Sequence, residues 1–104
     1  MNFIYLYYQC RDHGNQRRYN SAVFLNPNDR SAEEVETIIK NHLLDETWFS
    51  HSAWGLPDLY SNKTAGDGEQ RYHEFVGLQK TEEIPLSVAT DLEEFLEKVK
   101  KSKY

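Results

Sequence analysis

The stretch from Trp48 to Phe75 constrains this chain most. It holds both tryptophans and two of the four histidines, broken by Gly55-Leu56-Pro57-Asp58 and Gly66-Asp67-Gly68. No helical or strand period runs through most of it. A compact domain rarely carries ~25 such residues unless they do a job or are disordered. Disorder does not suit Trp48, Phe49, Trp54, Leu56, Leu59 and Tyr60, which are too apolar and too aromatic. The segment is therefore expected to be a long ordered loop packed on a scaffold.

The scaffold is read from the flanks. Phe3–Cys10 is rich in aromatic and β-branched residues and reads as a strand. Ile4, Leu6 and Tyr8 share one face, and Phe3, Tyr5 and Tyr7 the other. Two apolar faces mark a central strand. After the turn cluster Asp12-His13-Gly14-Asn15, Tyr19–Leu25 is an antiparallel partner, because the connection is short. Pro27 stops it, having no amide to extend a ladder. Ser31-Ala32-Glu33-Glu34 is a capping box that opens a helix to about Leu44, with Val35, Ile38, Ile39, His42 and Leu43 as its stripe. Gln70–Lys80 reads as a third strand. Tyr72, Glu74, Val76 and Leu78 fall on one face, and Arg71, His73, Phe75 and Gly77 on the other. Thr90-Asp91-Leu92-Glu93 is a second capping box, and its helix buries Leu92, Phe95, Leu96 and Val99. The expected fold is one α+β domain over residues 1–104. Its order is β-β-α-β-α, a small three-stranded antiparallel sheet with two helices on one face.

Charge is unevenly laid out. Residues 31–97 carry fifteen acids against four cations, while residues 98–104 hold four lysines and no acid. An acidic body disfavours nucleic acid as a partner and suits a basic protein. No apolar run approaches the ~18 residues of a membrane span. Cys10 is the single cysteine, which excludes an intramolecular disulfide and multi-cysteine metal centres. A lone thiol fits the cytoplasm better than secretion. No cofactor is expected, and a homo-oligomer is compatible with the composition.

Candidate chemistry is sparse. His73-Glu74 lacks the second histidine of a zinc-protease motif, since Gly77 stands there, and adjacent strand residues point to opposite faces. His42, His51 and His73 have no ligand spacing. Cys10 with His13 offers a thiolate–imidazolium pair, but a packed small hydrophobe accounts for Cys10 as well. Arg11, Arg17 and Arg18 cluster near the hairpin end, where solvated turn charges are the plainer reading. Tryptophan and tyrosine dominate binding hot spots, so the candidate binding residues are Trp48, Trp54 and Tyr60, with His73 and Glu74 as polar contacts. Gly55-Leu56-Pro57-Asp58-Leu59 followed by Tyr72-His73-Glu74-Phe75 resembles small bacterial α/β proteins with no assigned activity. That resemblance implies a fold and a region of interest, not a reaction. The expected function is a non-enzymatic protein-interaction domain, of bacterial regulatory or immunity type. Its working surface is the aromatic loop 48–60 with strand 70–80. The alternative is a small metal-dependent hydrolase or metal-binding protein centred on His51, Asp58, His73 and Glu74.

Overall fold

The computed structural model describes residues 2–11, 17–59 and 72–102. In chain order the elements are β1 (Phe3–Arg11), β2 (Arg17–Leu25), α1 (Ala32–Lys40), β3 (Trp48–Ser50), β4 (Tyr72–Thr81), β5 (Thr90–Asp91) and α2 (Leu92–Lys101). The sheet has five strands in the order β3-β4-β1-β2-β5 and curls into a half-barrel. Every pairing is antiparallel except β2 with β5. This corrects the three-stranded antiparallel expectation. The additional strands are only three and two residues long, too short to leave an alternating pattern.

One of them hides in the aromatic loop. Trp48–Ser50 pairs with β4, placing Phe49 opposite His73. The other hides in the second capping box. Asp91 is extended (φ −74°, ψ 139°) and its carboxylate accepts the Glu93 amide at 2.7 Å. An N-cap residue takes β-region angles, so the same residues end a strand and begin a helix. The cap is thus Asp91, one residue after the position expected, and the Thr90 hydroxyl donates to Glu94 instead.

The first box behaves as read, with Ser31 Oγ accepting the Glu34 amide at 3.1 Å. Its helix ends at Lys40, before the expected Leu44. Asn41 caps it, and Asp45 and Glu46 adopt positive φ in the turn that leads to β3.

β1 lies at the centre of the sheet. Its inward face, Ile4, Leu6 and Tyr8, joins Phe24 of β2, Val35 and Ile39 of α1, and Leu92, Phe95, Leu96 and Val99 of α2 in one core. Phe24 stacks on Phe95 with ring centroids 4.3 Å apart. Arg30 ties the two helix starts, donating twice to Glu93 and once to Glu34.

β4 is bulged. Its register against β1 slips between Tyr7 and Tyr8, so Tyr7 faces Gly77 while Tyr8 faces Phe75. A bulge leaves one extra residue and flips the alternation beyond it. His73 and Phe75 therefore face the core before the slip and Leu78 after it. Val76 is left exposed. The strict alternation read from the sequence put Val76 with Leu78 and overlooked this step. Gly77, a glycine inside a strand, is its sequence mark.

Candidate functional site

The site begins with β4. His73 is fully buried, with its ring among Tyr8, Phe49 and His51. Glu74 points to the opposite face, where it accepts from the Gln9 amide and stands between Gln9 and the half-buried Trp48 in register. The two residues do not converge. Trp54 is 1% exposed and lies flat on Phe49, with centroids 4.2 Å apart and an interplanar angle of 12°. It meets Phe95 edge-on, and its indole N–H donates to Ser102 Oγ at 3.1 Å. Tyr60 lies outside the described residues, as does His13.

The structure does bring His51, Asp58 and His73 together. The Asp58 carboxylate is 3.4 Å from His73 Nε2 and 3.8 Å from His51 Nε2. Hydrogen bonding assigns the roles of the ring nitrogens. The Leu59 amide donates to His73 Nε2 at 3.0 Å, so that nitrogen acts as an acceptor and carries no proton. His51 Nδ1 lies 2.9 Å from the Leu56 carbonyl, which only accepts, so Nδ1 donates. Tyr8 completes the set. Its hydroxyl donates to the Pro57 carbonyl at 2.9 Å and accepts from Asn20 at 3.2 Å. Burial pushes the Tyr8 phenol above its ordinary value and the negative charge of Asp58 adds to this, while the Asn20 hydrogen bond works the other way.

Side chains from β1, β4 and the loop itself thus hold backbone groups of Leu56, Pro57 and Leu59. Backbone polar groups drawn into a packed region need partners, and here they are these side chains together with the His51 carbonyl, which accepts the Leu56 amide at 2.8 Å; among the described residues no strand runs alongside. The arrangement is a latch for the loop. Because the Leu59 amide occupies the Nε2 lone pair of His73, that imidazole is spoken for. Among the described residues, no group of three or more His, Cys, Asp and Glu side chains has the geometry to hold a metal ion.

What the latch positions is a cavity of about 260 Å³. One wall is the outer edge of β2 from Asn20 to Phe24, and another is Trp54 to Pro57 of the latched loop. Segment 87–90 and the side chains of Phe95 and Lys98 complete it. Lys98 is the single charged side chain lining it. Gly55 has φ +72°, and a Cβ there would lie 2.8 Å from Lys98 Nζ and 3.4 Å from its Cδ. The missing side chain lets the lysine stem lie across the loop.

Among the described residues, the strand edge beside this cavity is open. β5 pairs with β2 only at Phe24 and Leu25, and Ala89 N–H donates to the Val23 carbonyl at 2.8 Å. From Arg17 to Ala22, β2 pairs with β1 alone among the described residues. Backbone groups alternate in direction along a strand. Since Val23 faces outward, so do the amides and carbonyls of Ser21 and Tyr19. Beyond the cavity, Ile84, Leu86 and Val88 are exposed apolar residues. Sequence reading missed the role of Gly55, Lys98 and the β2 edge. The one available signal was a glycine set between Trp54 and Leu56, both of which are buried.

Comparison with known protein families, with characterised proteins and with solved structures finds no match to this chain. Among the described residues no helix is long and apolar enough to cross a membrane.

Proposed function

We propose that this chain is a protein-interaction domain that takes up an extended segment of a partner along the open edge of β2. The observation that carries the reading is the adjacency of two features. Edge groups at Tyr19 and Ser21, unpaired among the described residues, run beside a cavity of mixed lining whose apolar part includes Trp54, Leu56 and Phe95. Strand addition of this kind draws affinity from main-chain hydrogen bonds and specificity from a pocket that accepts side chains. A long open edge is otherwise a hazard that proteins blunt with charge, bulges or cover. The aromatic loop enters this reading as a wall, with Trp54 buried behind it, and β4 enters as its anchor through His73. A regulatory or immunity-type role in the cytoplasm belongs to the same reading. The acidic body and the single cysteine support it.

Ser21→Pro tests it. The Ser21 amide faces outward, so proline removes a donor from the open edge and leaves the β1 ladder intact. Partner captured from host cells by the natural chain should be lost by S21P, with the melting temperature preserved. In the complex, the amides of Tyr19 and Ser21 should become protected from hydrogen exchange. Equal capture by S21P, or amides that still exchange freely in the complex, would refute strand addition.

A further inference from the structure

We infer that the occupant is the free C-terminus of a partner chain, bound as a strand parallel to β2 with its last side chain in the cavity. This rests on the strand-addition reading above and names its ligand.

The first step is where the edge stops. Segment 87–89 reaches β2 at Val23, and β5 takes the edge at Phe24 and Leu25. A strand added along Arg17 to Ala22 therefore meets an obstacle at the cavity. It must end there or turn away. A cavity of about 260 Å³ falls just below the range of ligand pockets, roughly 300–1,000 Å³. It suits one terminal side chain better than a turning chain, and the apolar part of its mixed lining, Trp54, Leu56, Val88 and Phe95, favours an apolar one.

The second step is direction. A strand antiparallel to β2 would bring its N-terminal ammonium to the blocked end. A parallel strand would bring its carboxylate. The charge lining the cavity decides between them, because it is a single cation, Lys98, in a chain of net charge −5. An ammonium beside Lys98 is repelled, whereas a carboxylate there gains a charge-assisted hydrogen bond. No carboxylate among the described residues pairs with Lys98. Its placement is also built in. Gly55, at φ +72° and without a Cβ, leaves the lysine stem room to cross the loop and reach the cavity. The parallel direction is moreover the one β5 already takes on this edge.

The test uses the full chain and two pools of short fluorescent peptides. Both pools are randomised upstream and end in Val, Leu or Phe. One is made as free acids and the other as C-terminal amides. Binding read by anisotropy should favour the acids by about tenfold or more, the scale of one charge-assisted hydrogen bond. Lys98→Met should erase the difference between the pools, and Lys98→Arg should keep it. Ser21→Pro should abolish binding of both. Equal binding of acids and amides that S21P still abolishes would overturn the C-terminal inference and leave strand addition standing. A preference for acids that K98M does not change would overturn the role of Lys98 and with it the assigned direction. Acid binding that survives S21P, or no binding of either pool, would overturn both readings.

Discussion

Removing the Trp54 indole should unfold much of this domain's stability margin. Trp54 is 1% exposed, stacked on Phe49 at 4.2 Å and set edge-on against Phe95 at 5.8 Å. Truncating a buried tryptophan to alanine costs ~3–5 kcal/mol through lost burial and the cavity left behind. Two aromatic contacts, worth ~0.5–1.5 kcal/mol each beyond area, place Trp54→Ala toward the upper end of that range, at about 4–5 kcal/mol. Natural domains hold only about 5–15 kcal/mol in total. At ~4–8 °C per kcal/mol for a domain of this size, the melting temperature should fall by at least about 15 °C. Trp54→Phe separates packing from hydrogen bonding. It keeps a ring on Phe49 but loses the donor to Ser102, so it should cost only about 1–2 kcal/mol. Urea denaturation of the three proteins, with melting curves alongside, reads both numbers. A loss below about 1 kcal/mol for W54A would show that the indole is not core and that the burial argument fails.

Tyr8→Phe should cost about 1 kcal/mol, through loss of the hydroxyl that bonds Pro57 and Asn20, and should speed amide exchange in residues 56–59. Unchanged exchange there would count against the latch. The Tyr8 phenol is raised in the fold, so its contribution is complete below the unfolded phenol pKa and is lost as pH rises through the folded one. Alkaline melts of the natural chain should therefore fall more steeply than those of Tyr8→Phe. At the acid end, the Arg30 hydrogen bond and charge hold the Glu93 carboxyl below its ordinary value, against the opposing pull of desolvation. That contribution is present above the unfolded glutamate pKa and disappears as pH falls through the folded one. Glu93→Gln should flatten the acid limb of the stability profile, and an unaltered limb would show that the pair is not coupled to folding.

How much of this was legible depends on how many residues each signal spans. The β1–β2 hairpin was visible because nine residues of each strand pair in unbroken register. Both helices were visible because caps and stripes are local, and Val35, Leu92 and Phe95 are buried as their spacing required. β3 and β5 were not visible. A strand of three residues shows no period, and Thr90-Asp91 reads equally well as the start of a helix. The bulge at Val76 and Gly77 escaped because a one-residue slip reverses the meaning of every position beyond it. His51 and His73 stand far apart in the chain, and only the fold of the loop sets their rings 5.0 Å apart.

In the aromatic segment, irregularity and mobility are different properties. Its lack of period follows from how its backbone is satisfied. Pairing by a neighbouring strand would impose a two-residue repeat. Here Leu56, Pro57 and Leu59 are instead held by His51, Tyr8 and His73, each reaching from a different position. Side-chain partners impose no repeat, so a segment whose backbone is satisfied comes to look like a loop. On the strand-addition proposal that arrangement has a use. A wall that must stand opposite a strand edge cannot itself be a strand in that sheet, or it would close the edge. Holding the loop by turn bonds up to Leu56 and by side chains from there to Leu59 keeps the wall in place and leaves the outward amides of Tyr19 and Ser21 unpaired among the described residues. On the strand-addition proposal, the histidines serve binding indirectly. His73→Leu, which has no acceptor, should free the Leu59 amide, and the cavity should loosen before the sheet does. Peptide affinity should then fall at temperatures where far-ultraviolet circular dichroism is still native. Loss of both signals together would show that the latch and the sheet are one cooperative unit.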